Sequence, residues 1–549
     1  MNLFGHILVF IVTFFALTPF SISQYNEKDS MRGFLSPFRS CFDVISYDLE
    51  INLKIEDKFI IGSNKISYKV LKSSDALQFD LHENLYIDSI KFRNHHLRYK
   101  RKHHSVFVYL DNFSNENQID TIYFYYKGMP ITAKNPPWEG GFNWEKDSLS
   151  NPLVSVACEG IGASIWWPNK DHLSDEPDSM RIKITVPDSL FAISNGQLTQ
   201  IEKVEKNNTY HWKVSYPINN YNVTLYVGKY CHFSDTLISK IDGEKLALDF
   251  YVLPYHLQKA KEHFKITKDI IHCFEKYLGK YPFYRDGYGL IETSYAGMEH
   301  QSAIAYGNQF LAGYEGRHPE GMPDDFIILH ETGHEWWGNS ISCKDHAEMW
   351  IHESFCTYME SVYMENKYGK SMAENYLRYY NHYIQNKFPI LGIQGINFQS
   401  KDTDMYYKGA AMLHTLRKSI NNDQLWWKVL KSFYQKNILK TISTSDFIDF
   451  VSEMINKDLT PFFSQYLTTS QIPILEIQIN GKEINYMWKN CVANFEMPIY
   501  IESNGKKICL QVNSKPQKIN LNYVNIEQLV FPLGLYQYRI NNNQIKNAY

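Results

Sequence analysis

Two histidines four residues apart, His330 and His334 in the run ILHETGHEWWGN, constrain this chain more than any other feature. On a helix, residues at i and i+4 project from one face about one turn apart. The H-E-x-x-H spacing of His330-Glu331-Thr332-Gly333-His334 is therefore one at which two imidazoles can converge on a tetrahedral ion. Phe326-Ile327-Ile328-Leu329 precede the pattern and Trp336-Trp337-Gly338-Asn339 follow it. So apolar a setting predicts a buried helix rather than a solvated one.

A catalytic zinc takes three protein ligands and keeps one position open for water. Glu353, nineteen positions beyond His334 in Trp350-Ile351-His352-Glu353-Ser354-Phe355, completes a His2Glu set. His352 is an alternative donor, but on a helix it points away from Glu353, and a carboxylate suits the spacing better. Glu331 lies about 100° around the helix from His330, so it reaches the water without ligating the metal. The ion brings that water's pKa to about 7, and Glu331 is expected to take its proton as general base.

Around this motif the hydrophobic pattern changes twice. From about 42 to 235, segments such as ISYDLEINLKI, NKISYKV and RIKITVP alternate at period two, which predicts antiparallel β-structure. From about 255, stretches including HLQKAKEHFKITKDIIHCFEKYLG and HAEMWIHESFCTYMESVYMENKYG carry helical spacing, with YGLIETSY a strand between helices. Alternation returns near 470. At 549 residues the chain exceeds a single core. The reading is multidomain α+β: a segment 1–23, a β domain over 24–235, a mixed catalytic domain over 236–469, and a small C-terminal β domain over 470–549.

Residues 1–23 read as a signal peptide, an apolar run ending in Ser21-Ile22-Ser23 without Lys or Arg in its n-region. Export follows as an expectation, whether periplasmic, secreted or at the cell surface. No later stretch reaches the ~18 apolar residues a spanning helix needs. With 21% charged residues and a net charge of -3, neither nucleic acid nor an anionic membrane is favoured as a partner. The eight cysteines show no C-x-x-C spacing, although Cys491 and Cys509 are candidates to bridge neighbouring strands. Sequons occur at Asn112, Asn207 and Asn222.

Four motifs, with the two zinc-site segments counted as one, resemble those of the aminopeptidase N and leukotriene hydrolase family of zinc exopeptidases and occur in the same order. HETGHEWWGN is similar to the family's H-E-x-x-H-Q-W-F-G-N, and WIHESF to W-L-N-E-G-F. Ala296-Gly297-Met298-Glu299-His300 is close to G-[AG]-M-E-N, and Tyr406-Tyr407-Lys408-Gly409-Ala410 to Y-x-K-G-A. CEGIGASIWWPNKDHLSDEP resembles the segment ending in D-E-P before a strand. The resemblance implies a saddle-like β-sandwich N-terminal domain, a thermolysin-like catalytic domain and one zinc ion per chain. It also implies peptide substrates with a free N-terminus. Glu299 would then anchor the substrate amine, with Glu159 in support, and Gly297 and Met298 would offer backbone hydrogen bonds to an extended peptide. Tyr406 would stabilise the oxyanion, with its neighbour Tyr407 the alternative.

His300 and His352 depart from the family's asparagines, which puts the first substrate pocket in question. The short C-terminal region leaves no room for a large helical domain and predicts a more open cleft. Three other functions share these residues: a thermolysin-type endopeptidase, an epoxide hydrolase and a non-catalytic zinc-binding scaffold. AGMEH weighs against the endopeptidase, and the complete set of catalytic residues weighs against the scaffold.

Overall fold

The computed structural model describes residues 26–110, 115–397, 402–521, 528–532, 534 and 537–541. The expected signal peptide and the Asn112 sequon lie outside them. An eight-stranded sheet organises the N-terminal region around Phe42–Lys54 and Phe59–Val70, whose long antiparallel register runs from Phe42↔Val70 to Lys54↔Phe59. Alternate residues of these strands, Leu49, Ile51 and Leu53 among them, are buried. Their pairing follows from the period-two pattern, since each strand has one apolar face to cover. One pair departs from the antiparallel expectation: Phe42–Lys54 also runs parallel to Ser179–Pro187, with Leu49 opposite Ile182. Alternation is the same in both pairings, and only the long crossover between the two strands tells them apart. A four-stranded sheet, Phe191–Ser194, Leu225–Gly228, Pro152–Ala157 and Gly141–Lys146, carries the chain towards Glu159.

Ahead of the first strand, two short helices, Glu27–Gly33 and Pro37–Ser40, are fastened by the fully buried Arg39. Its guanidinium donates to the carbonyls of Met31, Arg32 and Phe34, and to Asp80 Oδ2 at 2.6 Å.

A five-stranded sheet follows, in the order Cys231–Ile238, Lys245–Val252, Tyr288–Glu292, Ile304–Tyr306, Gly297–Met298. Gly297–Met298 is its edge strand and pairs only with Ile304–Tyr306. Helix α1 (Phe326–His334) packs on this sheet, α2 (Trp350–Tyr368) packs on α1, and α3 (Tyr407–Ile420) packs on α2. Every residue of α1 is buried. Burying each of Phe326, Ile327, Ile328 and Leu329 contributes about 1.5–3 kcal/mol, which holds the helix inside despite its polar residues. Asp325 caps it, accepting from the Ile327 and Ile328 amides at 3.0 and 3.2 Å.

The C-terminal region forms a four-stranded sheet, Gln517–Asn520, Glu483–Lys489, Ile474–Asn480 and Arg539–Asn541, beside the hairpin Ile499–Ser503 and Lys506–Leu510. All eight cysteines are free thiols, so Cys491 and Cys509 are not bridged. The Asn222 sequon is inaccessible: its side chain is fully buried and donates to Asn339 Oδ1. Among the described residues, no helix is long and apolar enough to cross a membrane.

Replacing Arg39 by methionine leaves Asp80 buried without its cation. Loss of about 3–5 kcal/mol is expected in denaturant unfolding of the N-terminal region.

Candidate active site

The helical spacing brings the His330 and His334 rings to 4.8 Å between centroids on one face of α1. Glu353, in the first turn of α2, lies opposite: its Oε2 is 3.1 Å from His330 Nε2 and 3.5 Å from His334 Nε2. Whether this trio fits a cation is decided by the far sides of the rings. His330 Nδ1 donates to Glu360 Oε1 at 2.9 Å, and His334 Nδ1 donates to the Trp337 carbonyl at 3.0 Å. With those protons committed, a neutral ring presents its Nε2 lone pair to the Glu353 oxygen. Three acceptors then face one another with no donor between them, an arrangement a cation stabilises. Ligands about 2.0–2.1 Å from a tetrahedral zinc are about 3.3 Å apart, close to the spacing found here. The residues fit zinc.

Glu360 was not singled out in the sequence. It is two turns beyond Glu353 on the same face of α2, and that i, i+7 relation is the signal that could have found it. It also accepts hydrogen bonds from Tyr314, at 2.7 Å, and from Tyr376. His352 is not a ligand: its Nε2 accepts the Cys343 amide at 2.9 Å.

Glu331 is buried beside the trio, and its Oε2 has no hydrogen-bond partner. It packs against the bare Cα of Gly297, where any Cβ would collide with Glu331 Oε1. Gly338 serves a similar end at φ 122°: a Cβ there would stand 3.0 Å from His334 Nδ1. Burial pushes the Glu331 carboxyl up to about 8, against the pull of His330 and His334. Burial would raise Glu353 too, but His334 and His330 outweigh it and hold this carboxyl well below the usual range.

Two further carboxylates, Glu159 and Glu299, line the same cavity. Oxygens of Glu159, Glu299 and Glu353 lie within 4.8 Å of one another, as do ligand atoms of Glu299, Glu331 and His334. Glu159 and Glu299 are both buried, and burial pushes both carboxyls up, Glu159 further through repulsion from Glu299 and Glu353. So many acids in one place call for positive charge beyond a single divalent ion. Asn339 donates to the Glu299 carbonyl at 2.8 Å and to Glu335 Oε1 at 3.2 Å, tying the Glu299 backbone to the end of α1.

Tyr406, at the N-cap of α3, brings its ring to 5.9 Å from that of His330. Tyr407 instead stacks on Tyr380 at 5.4 Å, and Lys408 turns away to the Thr469 carbonyl. A cavity of about 240 Å³ is lined by all nine residues singled out in the sequence, and by Trp138 and Arg317 as well. Trp138 comes from the N-terminal β region in a stretch with no chemical signature. His300 and His352 do not line it. His300 turns to Tyr226, 2.5 Å from its hydroxyl, and burial holds its pKa down to about 3.

Fold and site together fit a metallohydrolase with His330, His334 and Glu353 as candidate ligands. Residues 262–466 match the model of the Peptidase family M1 domain. The chain is 21% identical to "Probable aminopeptidase 1" of Sulfurisphaera tokodaii over 90% of its own length and 64% of that protein. It is 20% identical to "Leucyl aminopeptidase" of Saccharolobus solfataricus over 70% of its length and 53% of the relative's. It therefore spans less than two thirds of these relatives. Among solved structures, an M1 zinc metallopeptidase of Deinococcus radiodurans bound to a Tyr-Ser-Ala substrate superposes with a TM-score of 0.65. That match has 17% identity and covers 78% of this chain and 95% of the other. These matches support an aminopeptidase N-like member of peptidase family M1, with residues 262–466 as its M1 domain.

Replacing Glu360 by alanine frees the His330 ring while leaving all three ligands in the chain. Zinc affinity is expected to fall about 10- to 100-fold in chelator competition.

Proposed function

We propose that the protein is a zinc aminopeptidase that hydrolyses the first peptide bond of peptides with a free N-terminus. The observation that carries this reading is the pair Glu159 and Glu299, buried in the cavity wall with carboxylate oxygens within 4.8 Å of one of Glu353. An α-ammonium is the group that answers two buried carboxylates, and acids beside it repel a chain extending further.

His330, His334 and Glu353 would hold a zinc ion, which would supply Lewis acidity and acidify the attacking water. Glu331, with its Oε2 free of other partners, accepts a proton from the attacking water and returns it to the departing amine. Tyr406, beside His330, donates its hydroxyl to the charge developing on the scissile carbonyl. The edge strand Gly297–Met298 aligns the substrate backbone. Export belongs to the same reading and is supported by the apolar run at the start of the chain.

A panel of aminoacyl-anilides, free and N-acetylated, tests the proposal with and without chelator. Hydrolysis is expected for the free amines alone and only in the metal-loaded protein; cleavage of N-blocked peptides would favour an endopeptidase instead. Glu299→Ala is expected to lower kcat/KM at least roughly 30-fold, the lower end for breaking a buried charge pair; unchanged activity would remove the anchor assignment. Gly297→Ala pushes against Glu331 and is expected to lower kcat by about 100-fold with zinc content unchanged.

A further inference from the structure

Glu299 Oε1 accepts a hydrogen bond from the Tyr221 hydroxyl at 2.8 Å. The same hydroxyl is 3.1 Å from His352 Nδ1, and His352 Nε2 is 2.9 Å from the Cys343 amide nitrogen. All four residues are buried. The direction of this chain follows from its far end. A backbone amide only donates, so Nε2 must be the acceptor, and a neutral imidazole then carries its proton on Nδ1. That proton is given to the tyrosine oxygen, which leaves the phenolic proton for Glu299.

We infer that Tyr221 and His352 are positioning residues for the amine-binding carboxylate, a one-way donor chain that occupies Glu299 Oε1 and leaves Oε2 to a substrate ammonium. The inference rests on the aminopeptidase reading and assigns a role to His352, where the family resemblance leads one to expect asparagine. In the opposite tautomer Tyr221 would donate to His352, and Glu299 would face a tyrosine lone pair. The Cys343 amide excludes that arrangement. Stacking of Tyr221 against the His352 ring, 6.4 Å between centroids and 23° between planes, keeps the two aligned. The Asn339 bond to the Glu299 carbonyl fixes the main chain, so the tyrosine acts on the side chain alone.

Two competitive inhibitors sharing one metal-binding group, with and without an α-amine, separate positioning from mere support. The zinc-loaded full chain and its variants Tyr221→Phe and His352→Ala are compared at matched zinc content. Tyr221→Phe is expected to weaken the amine-bearing inhibitor roughly 10- to 100-fold, the loss of a hydrogen bond to a charged group, and the amine-free one less than about twofold. His352→Ala is expected to act in the same sense and to add nothing on top of Tyr221→Phe. Equal losses for both inhibitors, or no loss in either variant while the wild type still prefers the amine, would overturn the inference. A wild type indifferent to the amine would instead overturn the aminopeptidase reading on which it rests. If Tyr221→Phe does not fold, His352→Ala alone decides, by the same ratio of inhibition constants.

Discussion

The site depends on one short distance between two helices, that which sets Glu353 of α2 against His330 and His334 of α1. Lone pairs converge there only because each imidazole has its other nitrogen occupied, by Glu360 in one case and the Trp337 carbonyl in the other. The apolar residues opening α1 keep it inside the domain. Asp325 fixes its start and is itself held by Tyr306 and His263, each at 2.7 Å. Held by that burial and that cap, α1 cannot rotate its ligands away without exposing apolar surface or breaking the cap.

Around that core the protein gathers four carboxylates, Glu159, Glu299, Glu331 and Glu353, in the wall of one cavity. Each pays a desolvation cost, and their mutual repulsion adds to it. Such a cluster is stable as a receptor for positive charge. In the proposed function a metal would answer Glu353, and a substrate ammonium would answer Glu299 and Glu159. Glu331 keeps an unpartnered oxygen for proton transfer.

Much of this was legible in the sequence, because its signals are local. The His330 and His334 spacing, the apolar run before it, and Glu353 one helix later are all read along the chain. So is the change from period-two alternation to helical spacing and back. Contacts between distant segments left no such trace. Glu360 is visible only once α2 is known to continue two turns beyond Glu353. Tyr221 and Trp138 come from the N-terminal half and meet the site only through the fold. The parallel pairing of Phe42–Lys54 with Ser179–Pro187 has the same hydrophobic pattern as an antiparallel one. His300 and His352 looked like changes to the substrate pocket, yet both turn from the cavity, towards Tyr226 and towards Tyr221 with Cys343. A side chain's direction is set by its tertiary partners, and residue type does not encode it.

X-ray absorption spectroscopy of the zinc-loaded protein counts and identifies the atoms around the metal. Two imidazole nitrogens and carboxylate or water oxygen are expected at about 2.0–2.2 Å, with no sulfur. A scatterer at about 2.3 Å would mean that a thiolate, such as that of Cys356 beside His334, has replaced a ligand. That result, or a shell with a single imidazole, would contradict the His330, His334 and Glu353 assignment on which the rest of the site is built.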